Sequence, residues 1–174
     1  TSDAMHYYED GLNLTSELAW MNYGDPFVVE RNMDAARAIE EHFTVVVRDG
    51  ERFFHGLPEL GRRDLFKKPE TTGVADEWYA QVLHPALMAF WYNNNPRAAK
   101  LAREMADTWL KYCKPGEYPS RIDVATGEIK ESRPNYRPTQ SANALMTAYL
   151  LPDPKYRESL QYIAETVDGW GRTD

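Results

Sequence analysis

Sulfur and metal chemistry have little to work with in this chain. One cysteine, Cys113, stands among 174 residues, so an internal disulfide and a thiolate metal cluster are excluded. Cys113 closes a helical pattern after Trp109 and Tyr112, which reads as a packed thiol, with a nucleophilic thiol as the alternative. The four histidines lack His-x-x-x-His spacing and no Asp-rich loop accompanies them, so no metal is expected. A phosphate-cradling glycine loop and a nucleophile elbow are also missing, and no cofactor is expected. The longest apolar run, Ala86 to Tyr92, falls far short of the roughly 20 residues that span a bilayer. Positive charge is in deficit: the net charge of −7 argues against general nucleic-acid binding, while leaving room for a local arginine cluster. No signal peptide is visible, and the start at Thr1 suggests processing or excision from a longer protein.

What is present is a pattern of prolines. Pro26, Pro96 and Pro154 follow Asp25, Asn95 and Asp153. An Asx side chain can accept an orphan backbone N–H, and proline has no N–H to lose at the first helical position. Aligned on these prolines, the next helices match at Ala36, Ala106 and Ala164, at Ile39, Trp109 and Val167, and at His42, Tyr112 and Trp170. These steps keep a 3.6-residue period, so each helix buries one stripe. The segments before the prolines, 12–23, 78–92 and 139–150, are richer in apolar and aromatic residues and are placed as inner helices. Pro85 should kink or restart the second of them. One unit of three hairpins follows, at about 11–43, 76–113 and 139–170, all-α apart from its loops. With 43% hydrophobic residues the chain can build a core for it.

Turns within each hairpin are short, at 23–25, 93–95 and 151–153, whereas the connections 44–75 and 114–138 are long. Loops of that length are usually functional. Each carries a predicted β-hairpin: 44–47 with 52–55 around Arg48-Asp49-Gly50-Glu51, and 121–124 with 128–131 around Ala125-Thr126-Gly127. All long loops then lie at the N-terminal ends of the inner helices, where a function belongs.

This succession of inner and outer helices with long loops on one side resembles the α/α-toroid glycan-degrading enzymes, the six-hairpin glycosidases and toroid polysaccharide lyases. The resemblance covers most of the chain and is architectural. It implies a sector of an (α/α)n toroid, closed by hairpins of a longer parent, with a glycan substrate and an extracellular or periplasmic setting. Related architectures serve other chemistries, so function has to be argued from the site.

Three polar-aromatic clusters sit where inner helices begin: Tyr8, Glu9, Asp10 and Asn13; Asp76, Glu77, Trp78, Tyr79 and His84; and Arg133, Tyr136, Arg137 and Gln140. Aromatic faces stack on sugar C–H surfaces, and the polar groups take hydroxyls. The plainer readings are that Asp10 and Asp76 cap helices, that Trp78 and Tyr79 are core, and that His84 is a hydrogen-bonded core histidine. His55 stands with Arg48, Arg52, Arg62 and Arg63, either as an anion pocket for a uronate or as a solvated basic loop. Two cleavage chemistries remain open. Hydrolysis would pair Asp10 or Glu9 with Asp76 or Glu77 as acid and base. Lyase chemistry would use Tyr79, Tyr136 or His55 as base, with Asn13, His84 or Arg137 against the uronate carboxylate. The arginines on both loops favour the uronate. The non-catalytic alternative is a helical-repeat sector that binds a glycan or protein, or serves as scaffold.

Overall fold

The computed structural model describes residues 18–54, 73–76, 83–112, 114, 118–133 and 150–158. The fold is mixed rather than all-α: among the described residues, three longer helices and short helical segments accompany two small antiparallel sheets. Helix α1 spans Pro26–Ala38 and runs into a π turn, Ile39–Phe43. Strands β1 (Thr44–Val47) and β2 (Glu51–Phe54) follow, then β3 (Val74–Asp76), α2 (His84–Asn93), α3 (Pro96–Tyr112), β4 (Tyr118–Asp123), β5 (Ile129–Arg133) and α4 (Pro154–Glu158).

The three Asx-Pro steps act as the sequence suggests. Asp25 Oδ1 accepts from the amides of Phe27 and Val28 at 2.9 and 3.2 Å. Asn95 Oδ1 accepts from Arg97 and Ala98 at 3.0 and 3.1 Å. Asp153 Oδ1 accepts from Lys155 at 3.0 Å. Between α2 and α3 the chain reverses through Asn94, which sits at φ 55° and returns its amide to the Phe90 carbonyl at 2.7 Å. Asparagine tolerates this left-handed position better than most side chains.

Helix α2 buries five consecutive residues, Pro85 to Ala89, so it is surrounded rather than amphipathic. Helix α3 buries one stripe, including Ala98, Ala102, Met105, Ala106 and Trp109. Alanines on the facing sides, Ala86 and Ala89 on α2 and Ala98 and Ala102 on α3, belong to one core and let the helices approach closely. The aligned pairs Ala36 with Ala106 and Ile39 with Trp109 are all buried there; their counterparts Ala164 and Val167 lie outside the described residues. Helix α3 is flanked on two sides. Arg97 at its start pairs with Glu40 and Glu41 at the end of the first helical segment. Asp107 accepts the Tyr156 hydroxyl of α4 at 2.8 Å.

The second inner helix is described from His84, with Pro85 in its first turn, where proline is tolerated; Trp78 and Tyr79 lie outside the described residues. One expectation about the inner helices is corrected. The first was expected to be the more buried partner, yet its described end exposes Trp20, Met21 and Tyr23. The ring contacts of Trp20 and Tyr23 are with α2, which leaves their other sides to solvent.

Both predicted β-hairpins form. The first pairs Thr44 with Phe54 through to Val47 with Glu51, turned by Asp49 at φ 48° and Gly50 at φ 85°. The second pairs β4 with β5 and is extended by β3, which was read as loop and helix start: Val74 pairs with Asp123 and Asp76 with Arg121. The two sheets share a small apolar core of Val45, Phe53, Ala75, Ile122 and Val124.

Replacing Asn95 by Ala removes the acceptor for two amides and should cost about 1 kcal/mol, while Asn95→Asp should stay near wild type. Urea denaturation of the two variants checks this; equal stabilities would mean that the cap carries no weight.

Candidate functional site

The turn of the first hairpin lands on the C-terminal end of α3. Glu51, whose side chain is 6% exposed, accepts from Arg48 at 2.7 Å and from the Tyr112 hydroxyl at 2.9 Å, and pairs with Lys111. Arg48 also donates to the Val124 carbonyl at 2.5 Å, which ties the first hairpin to β4. Gly127 closes the junction from the second hairpin. A Cβ there would stand 2.6 Å from the Tyr112 hydroxyl and 2.9 Å from Arg48 Nη2, and its φ of +75° is itself left-handed, so only glycine fits. Burial alone would raise the Glu51 carboxyl, but hydrogen bonds from Lys111 and Tyr112 and the neighbouring cations outweigh it and hold it below its ordinary value. Tyr112 is pushed up by burial, and its hydrogen bond to Glu51 adds to the rise.

One turn back along α3 a second group repeats the arrangement. Arg52, 8% exposed at its side chain, donates through Nε to Glu104 at 2.8 Å and through Nη1 to Thr44 at 2.7 Å. Its backbone amide donates to Thr108 Oγ1 at 2.8 Å. Arg52 is thus buried against Glu104 and Thr44, and Arg48, about a third exposed, is held by Glu51, Tyr112 and the Val124 carbonyl. A uronate approaching either guanidinium would have to compete with these internal partners. Glu51, Glu104, Lys111 and Tyr112 were not singled out in the sequence. The i,i+3 spacing of Arg48 and Glu51 and the shared α3 face of Glu104 and Thr108 were readable, but no local pattern says that the two meet.

Of the expected site residues, three fall on described backbone. Asp76 ends β3. Arg133 ends β5. Both strands run antiparallel to β4, hence parallel to each other, and leave the sheet in the same direction on its two opposite edges, Asp76 opposite Arg121 and Arg133 opposite Tyr118. Two strand spacings and a three-residue offset along β4 separate their backbones, roughly 14 Å in all. The third, His84, opens α2. Its Nε2 is buried without a hydrogen-bond partner among the described residues. Desolvation lowers its pKa to about 4, so it is an uncharged imidazole at neutral pH and cannot offer a cation to a carboxylate. Tyr8, Glu9, Asp10, Asn13, His55, Glu77, Trp78, Tyr79, Tyr136, Arg137 and Gln140 lie outside the described residues, as do Arg62, Arg63 and Cys113.

Comparisons with protein-family models, curated proteins and solved structures return no match. Among the described residues no group of three His, Cys, Asp or Glu is placed to hold a metal, and no helix is long and apolar enough to cross a membrane.

His84 makes the fold sensitive to mild acid. The unfolded chain takes up a proton near the ordinary value of 6.5, whereas the folded chain does so only near 4. Stability is therefore unaffected by this group above the higher value, falls as pH drops through the window, and levels off below it. At pH 5 the loss should be about 2 kcal/mol. Denaturation of wild type and His84→Leu at pH 7.5 and pH 5 checks this: the variant should lose about that much less between the two conditions. Parallel losses would show that His84 does not titrate differently in the folded state.

Proposed function

We propose that the chain is a sector of a carbohydrate-active enzyme of α/α-toroid type, cleaving a uronate-containing glycan at the face where the long loops gather. The observation that most supports this reading is that β3 and β5 run parallel on either side of β4, so the chain leaves Asp76 and Arg133 in the same direction. Two of the three polar-aromatic clusters continue directly from these strands in sequence: Glu77-Trp78-Tyr79 after β3, and Asn135-Tyr136-Arg137 just after β5. A carboxylate, tyrosines and arginines following two parallel strands of one sheet supply what uronate chemistry needs. An arginine takes the sugar carboxylate, and a tyrosine beside positive charge removes the neighbouring proton. Both hairpin sheets lie against the C-terminal end of α3, which in an antiparallel hairpin is the end where α2 begins. The flanking of α3 by helices on two sides suits successive outer helices of a toroid, with further hairpins from a longer parent completing the ring.

With Arg48 and Arg52 engaged internally, Arg133 and Arg137 carry the uronate-binding role. Tyr136 and Tyr79 are the bases of the lyase version; Asp76 and Asp10 are the carboxylates of the hydrolase version. Incubation of the longest parent chain with uronate-containing polysaccharides distinguishes the two. Unsaturated-uronate absorbance should rise together with new reducing ends. Tyr136→Phe should then lower turnover by roughly 100-fold or more, and Asp76→Asn far less. Reducing ends without absorbance, with Asp76→Asn the damaging variant, would move the mechanism to hydrolysis. Neither signal on any uronate polymer would contradict the catalytic reading and favour a binding or scaffold sector.

A further inference from the structure

We propose that the opposite end of the hairpins, where the tight turns lie, carries a stacking platform for a polysaccharide chain. Helix α2 is ten residues long, which puts this end roughly 15 Å from His84. Four rings cluster there. Trp20 stands 4.5 Å from Trp91 and tilted by 36°; Tyr23 meets Trp91 at 4.7 Å and Tyr92 at 5.7 Å, edge-on in both cases. They do not bury one another: Tyr23 is 60% exposed, Trp20 45% and Tyr92 37%. Large aromatics concentrated in one exposed patch mark a binding surface more often than scattered apolar residues do.

The character of the patch selects the ligand. In a chain of net charge −7, the stretches Trp20 to Gly24 and Trp91 to Asn94 contain no charged residue. The nearest charge in sequence, Asp25, already caps α1. Nucleic acid and small anions need cations, and none stands in either stretch. The exposed side-chain amides of Asn22 and Asn94 make no hydrogen bond among the described residues. The crease between Tyr23, Trp91 and Tyr92 encloses only about 10 Å³, so a ligand lies across the rings instead of entering a pocket. Flat aromatic faces edged by unused amides, on two stretches that carry no charge, fit a sugar chain, whose C–H faces stack on rings and whose hydroxyls pair with amides. Such a platform would hold a polymer independently of cleavage at the far end.

The test is affinity electrophoresis and calorimetry of the full chain with a panel of neutral and uronate-containing polysaccharides. Trp20→Ala, Tyr23→Ala and Tyr136→Phe are compared, with circular dichroism as a folding control. Saturable binding that weakens at least tenfold in Trp20→Ala and Tyr23→Ala, and persists in Tyr136→Phe, is the expected result. Tyr23, the more exposed ring, keeps the test decisive if Trp20→Ala does not fold. Binding unchanged in Tyr23→Ala, or no binding to any polymer, overturns the proposal. So does concentration-dependent self-association that Tyr23→Ala abolishes, because the occupant would then be a second copy of the chain. A chain that binds through these rings but cleaves nothing would remove the catalytic reading and leave this one standing.

Discussion

Glu51 carries a carboxylate almost wholly removed from water, and the placement of both sheets depends on how that charge is met. Burying an unpaired carboxylate costs several kcal/mol. Here an arginine from its own turn and a lysine and a tyrosine from the end of α3 converge on it. The arrangement is conditional: any one donor removed leaves the others facing an incompletely compensated buried charge, which typically costs more than the pair contributes when intact. Arg52 with Glu104 adds a second fastening one turn away. Because Glu51 is held below its ordinary carboxyl range, the first clamp stays ionised through neutral and mildly acidic pH. Its contribution is lost only as pH falls through that lowered value.

From Glu51 the connection passes outward. Arg48 reaches the Val124 carbonyl, and Gly127 packs against Arg48 and Tyr112, so the turn of the second hairpin is seated on the first. Strand β4 in turn fixes β3 and β5 on either side, and with them the positions of Asp76 and Arg133. Arg48 and Arg52, which looked available for a substrate, thus have structural partners, and Arg48 helps seat the sheet whose two outer strands lead into the candidate clusters. The division of labour is physically sensible: a buried guanidinium–carboxylate pair gives orientation, whereas an arginine kept for a ligand must stay open to it.

Much of this was legible in the sequence wherever the signal is local. Asx-Pro steps announced three helix starts, because a cap needs only the side chain at that position and the amides that follow it. Asp49-Gly50 and Ala125-Thr126-Gly127 announced two hairpins, because only a few residues adopt the required backbone. What was not legible is tertiary. Val74–Asp76 is too short to show strand alternation, and it becomes a strand only because β4 offers a free edge. Arg48 and Arg52 looked like a basic loop because their acidic partners, Glu51 apart, come from the distant α3. The exposed end of the first inner helix looked like core because composition cannot say whether a neighbour exists on the other side.

The most direct measurement is site-resolved amide hydrogen exchange on wild type and Glu51→Gln. If the buried charge joins the sheets to α3, the amides of Arg52, Phe53, Ile122 and Val124 should exchange in wild type with the same opening free energy as those of Met105 and Trp109. In Glu51→Gln the sheet amides alone should lose protection, by a factor of ten or more. Sheet amides that exchange as freely as loop amides in wild type, or that keep their protection when Glu51 is neutralised, would contradict the account.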